Sequence, residues 1–287
     1  MTDAVLKTEM GRKIRVALFA AAKIGLAVYI GLLAGLYLCQ TELEYIPVSP
    51  SPGTPQENGV PEMSVVTVQT PDNLSLFGWF APPRAKDGKV IVMFHGQGIH
   101  IGYNAMKARP FLNRGYGVFL AEYRGFAGNP GTPSEEGLYN DARGVMAWLK
   151  QKGYDPSKVY LYGESLGTGV AVQTGTEFPV AGVILEAPYN SALAIAKWRY
   201  PIFPISLLMH DPIDSQSKIG RVSSPLLIVH GARDGYIPIE FAKQLFDAAK
   251  PPKKFAVVKD GDHPPFLFKQ GAGKIILDWL DKQGGAK

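Results

Sequence analysis

The sequence predicts a mostly parallel, doubly wound α/β sheet preceded by one membrane helix, and three observations carry that prediction. Short apolar, β-prone runs alternate with helix-sized segments from residue 90 onward, the pattern of βαβ units. One of those runs, 159–162, leads straight into Gly163-Glu164-Ser165-Leu166-Gly167, a strand-to-helix turn with a serine at its tip. Near the N-terminus, residues 16–39 form an apolar stretch broken only by Lys23.

A chain of 287 residues holds one catalytic domain of about 220–250 residues and a short additional segment. Apolar residues make up 46%, with 14 Phe and 13 Tyr, enough for a sizeable core. The net charge of +5 is spread along the chain, and no basic run is interleaved with aromatics, which argues against a nucleic-acid partner. The single cysteine, Cys39, excludes an internal disulfide, and five scattered His without an H-x-H or C-x-x-C pair argue against a metal site. No metal and no cofactor is expected.

Residues 16–39, at 1.5 Å per residue, are long enough to cross a hydrocarbon core of about 30 Å. A cleaved signal peptide has a shorter apolar region and small residues before the cut, whereas Leu36-Tyr37-Leu38 precede Cys39 here, and Leu38 also spoils a lipoprotein site. Lys7, Arg12, Lys13 and Arg15 precede the span, while residues 40–63 carry four Glu and no Lys or Arg. The positive-inside rule therefore predicts a single-pass protein with residues 1–15 cytoplasmic and the catalytic domain extracytoplasmic or periplasmic. Lys23, about two turns from the cytoplasmic end, can snorkel to that interface.

Residues 40–62 read as a linker, because five prolines with Gly and Ser between 46 and 61 favour extended, weakly packed chain, a tether or an arm lying on the domain. The domain follows over 63–283. Runs 64–70 and 74–80 alternate around Pro71-Asp72-Asn73 as a hairpin. Runs 90–94, 118–122, 159–162, 182–185, 226–229 and 255–258 read as strands buried on both sides, separated by segments such as the helix 136–152. The tail 284–287 is expected to fray.

A nucleophilic serine needs a base, an acid to orient the base and donors for the oxyanion, each placed at the C-terminal end of a strand. Ser165 is the nucleophile of this scheme; Gly163 and Gly167 lie where strand and helix pass close together. A dinucleotide-binding reading fails, since Gly167-Thr168-Gly169 would need its third glycine at Val172. His95-Gly96-Gln97-Gly98 follows the run 90–94, so the backbone N–H of Gln97, beside that of Leu166, forms the oxyanion hole. Asp234 lies just past 226–229 and His263 just past 255–258, giving the chain order Ser, Asp, His. His95 and His230 each end a strand beside a glycine and read as hydrogen-bonded structural imidazoles. Asp260 and Asp262 flank His263, but the orienting carboxylate belongs on the loop after the preceding strand, which favours Asp234. Asp211 and Asp214 read as caps or turns, and Arg124 and Glu135 as ties within the loop after 118–122.

Five blocks carry a family resemblance: H-G-Q-G at 95–98, Y-R-G-F-A-G-N-P-G-T-P-S-E at 123–135, Y-G-E-S-L-G at 162–167, H-G-A-R-D-G-Y-I-P at 230–238 and G-D-H at 261–263. From about residue 64 to 280 the chain resembles the α/β-hydrolase superfamily, in particular the membrane-anchored α/β-hydrolase-domain (ABHD) proteins and serine aminopeptidase-like hydrolases. The resemblance implies an α/β-hydrolase fold and cofactor-free hydrolysis of esters, thioesters or amides. It implies catalytic roles for Ser165, Asp234 and His263 and for the backbone of Gln97 and Leu166. Where members often carry Asn or another polar residue after the His, this chain has Pro264-Pro265-Phe266.

Residues 188–224 are too long for a simple crossover and include Trp198, Tyr200, Phe203, Leu207, Leu208 and Met209. They read either as an apolar lid, which favours acyl or lipid-like substrates, or as side chains that complete the core. The alternative to a serine hydrolase is a catalytically inactive hydrolase-fold protein that binds a partner or lipid; the presence of every triad position favours the enzyme.

Overall fold

The computed structural model describes residues 2–86 and 88–284, with side chains from residue 9 onward, so only Gly284 of the tail read as frayed falls within it. Two strands, β1 (Ser64–Gln69) and β2 (Ser75–Ala81), form the expected hairpin, with Val68 opposite Leu76 and Asn73 in the left-handed region at φ 66°. Then come β3 (Val90–Phe94), β4 (Gly117–Ala121), β5 (Val159–Glu164), β6 (Gly182–Glu186), β7 (Leu226–Gly231) and β8 (Lys253–Val258). They make one eight-stranded sheet in the order β1-β2-β4-β3-β5-β6-β7-β8. β2 joins antiparallel to β4, and from β4 to β8 every pairing is parallel.

Side-chain alternation divides the core between the two faces of the sheet. Val90, Val92 and Phe94 of β3 pack into one cluster, Ile91 and Met93 into the other. The first cluster is covered by α4 (Glu135–Gln151), α5 (Leu166–Glu177) and α8 (Ile239–Ala248), the second by α3 (Ile101–Asn113) and α9 (Gly273–Lys282). Each fully buried large apolar side chain contributes roughly 1.5–3 kcal/mol. α4 starts where its sequence says: the Ser134 hydroxyl accepts from the Gly137 N–H, and Glu135 and Glu136 sit at the positive end of the helix dipole.

Three expectations are corrected. β8 is an edge strand, half-buried with Lys254 and Val257 exposed, and not a run buried on both sides, because it stands last in the sheet order with β7 as its neighbour on one side. The 40–62 segment is the arm on the domain and not the tether, better packed than its prolines suggested: residues Gln40–Tyr45 form a short helix, α2, and Tyr45, Pro52, Pro55 and Val60 are buried. Asp211 is more than a turn residue, since its carboxylate accepts a hydrogen bond from the Tyr45 hydroxyl at 2.9 Å. The reason is the same for the last two: an aromatic anchor in the arm finds a polar partner in the domain, which no local pattern announces. Asp214 does close a turn, through the Ser217 N–H.

The N-terminal helix α1 runs over Thr2–Leu38. Within it Glu9–Leu38 is long and apolar enough to cross a membrane, with none of its most apolar window buried in the protein. The segment between β6 and β7 carries two short helices, α6 (Ala192–Arg199) and α7 (Ile205–Leu208).

Candidate active site

The end of β5 turns into α5 at Ser165, whose backbone sits at φ 49°, ψ −113°. A non-glycine residue at such a φ is strained and persists only when its surroundings enforce it. The enforcement is steric. A Cβ on Gly163 would lie 2.4 Å from the Gly167 carbonyl oxygen, and one on Gly167 would lie 2.1 Å from that of Phe94. Strand, turn and helix therefore interlock only with glycine at both places, which is the spacing the sequence displays.

The loop after β8 brings His263 to this serine. Its Nε2 lies 3.0 Å from Ser165 Oγ, and its Nδ1 lies 2.7 Å from Asp234 Oδ2, on the loop after β7. The other Asp234 oxygen accepts the N–H groups of Tyr236 and Ile237, both at 2.9 Å. Burial alone would raise the Asp234 pKa, but the His263 contact and these two N–H donors outweigh it and hold the carboxyl below the ordinary aspartate value. Asp262 instead bonds Gln270, and Asp260 pairs with Arg233 on the surface. Of the three candidate carboxylates, Asp234 alone reaches the His263 ring, although Asp260 and Asp262 flank it in sequence.

His230 is buried, and its Nε2 donates to the Ile237 carbonyl at 2.9 Å, so it braces the Asp234 loop; burial lowers its pKa. His95 is also buried, with Nε2 2.8 Å from Glu122 and Nδ1 2.7 Å from the Gly96 carbonyl, and the Tyr123 hydroxyl donates to the His95 carbonyl. These contacts pin the 95–98 loop. Gln97 and Leu166 both line the cavity beside Ser165, and the Leu166 N–H opens α5, where helix geometry leaves it without an intrahelical acceptor. Arg124 ties its loop as expected, bonding Asp141 and Asp72, and Glu135 reaches Lys218 and the Ile213 N–H.

Sequence reasoning missed a buried ionic cluster under the elbow. Lys107 of α3 places Nζ 2.7 Å from Glu164 and 2.6 Å from Glu186, and the Tyr162 hydroxyl donates to Glu186. Burial alone would lower the Lys107 pKa, but the two glutamates outweigh it and hold it above the ordinary value. A readable signal existed: Glu122, Glu164 and Glu186 each close an otherwise apolar strand run at the end of the sheet where the site lies.

The site opens into a cavity of about 740 Å³. Ser165, His263, Gln97 and Leu166 line its floor; Leu36, Leu43 and Ile46 of the N-terminal segment line one side, and Ile195, Ile205 and Leu208 of the 188–224 insert line the other. Glu44 also lines it; burial, then the nearby Asp211 and Glu135, push its pKa up to about 9. Among the described residues, no group of three or more His, Cys, Asp or Glu is close enough together to hold a metal.

Residues 85–210 match the family described as serine aminopeptidase, S33. The uncharacterized protein Rv2307c of Mycobacterium tuberculosis is 33% identical over 251 residues, covering 86% of this chain and 88% of that one. The lysophosphatidylserine lipase ABHD12 of Macaca fascicularis is 32% identical over 197 residues, covering 62% of this chain and 49% of the lipase. Among solved structures, the Pyrococcus furiosus esterase Pf2001 aligns with a TM-score of 0.66 at 18% identity, covering 83% of this chain and 96% of the esterase, a likeness of fold.

Proposed function

The chain belongs to the α/β-hydrolase superfamily, and from that premise we propose that it is a membrane-anchored serine hydrolase cleaving acyl or lipid-like esters, thioesters or amides through an acyl-enzyme on Ser165. One observation carries the reading: the hydrogen-bonded line from Asp234 through His263 to Ser165, with contacts of 2.7 and 3.0 Å.

In this mechanism Ser165 Oγ attacks the acyl carbon as His263 Nε2 takes its proton, and Asp234 steadies the imidazolium. The carbonyl oxygen becomes an oxyanion that receives hydrogen bonds from the N–H groups of Gln97 and Leu166. Collapse breaks the bond to the leaving group, which takes the proton from His263. Water, deprotonated by His263, then attacks the acyl-enzyme and releases the acid and free Ser165. The apolar lining of the cavity and the lipase among the relatives support an acyl chain as the bound part, with residues 188–224 as lid. Helix α1 serves as the anchor, with residues 1–15 cytoplasmic and the domain on the far side.

A panel of p-nitrophenyl esters of graded chain length, thioesters and aminoacyl amides tests the reading. Turnover of at least one class, abolished by Ser165→Ala, is expected; no turnover of any class by the folded protein contradicts it. Alkaline phosphatase fused after Lys287 should be active in a bacterial host, and an inactive fusion would overturn the orientation.

A further inference from the structure

The anchor helix is not a bare tether, because one of its faces packs on the domain. Between residues 12 and 39 the half-buried positions are Tyr29, Leu33 and Leu36, continued by Gln40, a stripe at helical spacing. Tyr29 stacks on Phe203 with ring centroids 5.6 Å apart, and its hydroxyl donates to the Ile202 carbonyl. Gln40 accepts from the His210 N–H at 2.8 Å and reaches the Leu208 carbonyl at 3.3 Å. The 200–210 loop therefore lies along the last three turns of α1.

That placement puts the Ile202–Phe203 end of the loop, at Tyr29, at hydrocarbon depth, and its Leu208–His210 end, at Gln40, at the interface. A core of about 30 Å takes roughly 20 helical residues. Counted from Val16, just after the basic residues, it ends near residue 35, with Tyr29 about 9 Å inside it. The loop is made for such a place. From Tyr200 to His210 it carries no Asp, Glu, Lys or Arg, and Ile202 and Leu207 are 72% and 84% exposed. In water these would be isolated apolar surfaces; beside a membrane helix they form one continuous apolar face with it. The cavity floor holds Ser165, and its two sides are this loop and the end of α1 with α2.

We propose that the 200–209 loop is a second membrane-embedded element, and that it and the α1–α2 junction are the two lips of a portal through which an acyl chain passes from the leaflet to Ser165. The anchor is thereby part of the substrate site, and Gln40, bonded across the gap to Leu208 and His210, latches it. The passage of substrate rests on the hydrolase reading; the embedding of the loop does not.

The full chain in phosphatidylcholine vesicles, with Cys39→Ser to remove the native thiol, tests both parts. A bimane label on Ile202→Cys should be quenched by doxyl-labelled lipid and shielded from aqueous iodide, while a label on the exposed Gln151→Cys should behave oppositely. Quenching of the Ile202 label by iodide and not by lipid overturns the embedding. For the portal, Tyr29→Cys/Phe203→Cys is compared in oxidised and reduced forms of the same preparation. Locking the lips should lower the ratio of kcat/KM for a vesicle-borne dodecanoyl ester to that for a soluble acetyl ester about tenfold or more. An unchanged ratio overturns the portal. Loss of all turnover in the reduced form and the parent protein would instead count against the hydrolase reading and leave the quenching result standing.

Discussion

The floor and the lips of the cavity are built by opposite rules. On the floor, Asp234 is 1% exposed at its side chain, three donors hold its carboxylate, and the serine beside it is fixed by two glycines that admit no Cβ. On the lips, apolar side chains face outward and a few hydrogen bonds join α1 and the start of α2 to the 200–210 loop. Tight packing with saturated hydrogen bonds holds reacting groups within the fraction of an ångström that catalysis requires. Sparse packing leaves a surface able to part. On the proposed reading, reaction and access fall to different parts of the chain, the reaction to strand ends and the access to the α1–α2 junction and the insert.

The sharpest break is expected on the floor. Ser165→Ala should lower kcat by about 10⁴ to 10⁶, with His263→Ala similar and the double variant scarcely worse, because the two act as one unit. Steady-state kinetics on the best ester of the panel would show this, and retention of full activity by Ser165→Ala would remove the floor's assigned role. Asp234→Asn should cost about 10⁴ in turnover while Asp262→Asn stays near wild type. The reverse result would move the acid to Asp262 and leave the nucleophile in place.

Beneath the floor, Lys107→Met should destabilise the fold by about 3–5 kcal/mol, since it strands two glutamates in the core without their cation. The exposed pair Lys274 with Asp278 is the counterpart, and Lys274→Met should leave the denaturation midpoint unchanged. Chemical denaturation of both variants checks the contrast; equal effects would mean that the buried cluster is not what braces the elbow.

The lips offer a smaller, pH-dependent effect at Glu44. Its pKa in the folded chain, about 9, exceeds the ordinary glutamate value near 4.5. Between those values the folded chain keeps a proton that the unfolded chain has released, so its stability falls as pH rises through this window. Glu44→Gln should flatten that fall, raising Tm at pH 8 relative to wild type and changing it little at pH 4. Parallel Tm profiles for the two proteins would show that Glu44 is not held neutral.

How much of this was legible follows the same division. The inner parallel strands could be read because each is a short apolar run with its own punctuation, and the hairpin because it alternates around a turn; all eight strands fall within two residues of their expected positions, though the exposure of edge strand β8 was not legible. The elbow and the loops carrying Asp234 and His263 could be read because steric need fixes small residues at fixed spacing. Lys107, Glu164 and Glu186 could not be joined from sequence, since they come from three elements that only the fold brings together. Nor could the contact of Tyr45 with Asp211, 166 positions away, or of Tyr29 with Ile202, 173 positions away. Helical patterning shows that residues 16–39 are apolar, but not which face meets the domain.

The central claim is that Ser165 is the nucleophile, and the most direct measurement needs no substrate. The full chain treated with a fluorophosphonate probe, digested and analysed by mass spectrometry should carry one adduct, on the peptide containing Ser165. Asp234→Asn should retain a slower adduct at the same place, and Ser165→Ala should carry none. An adduct on another residue, or no adduct on the folded wild-type chain, would contradict the account.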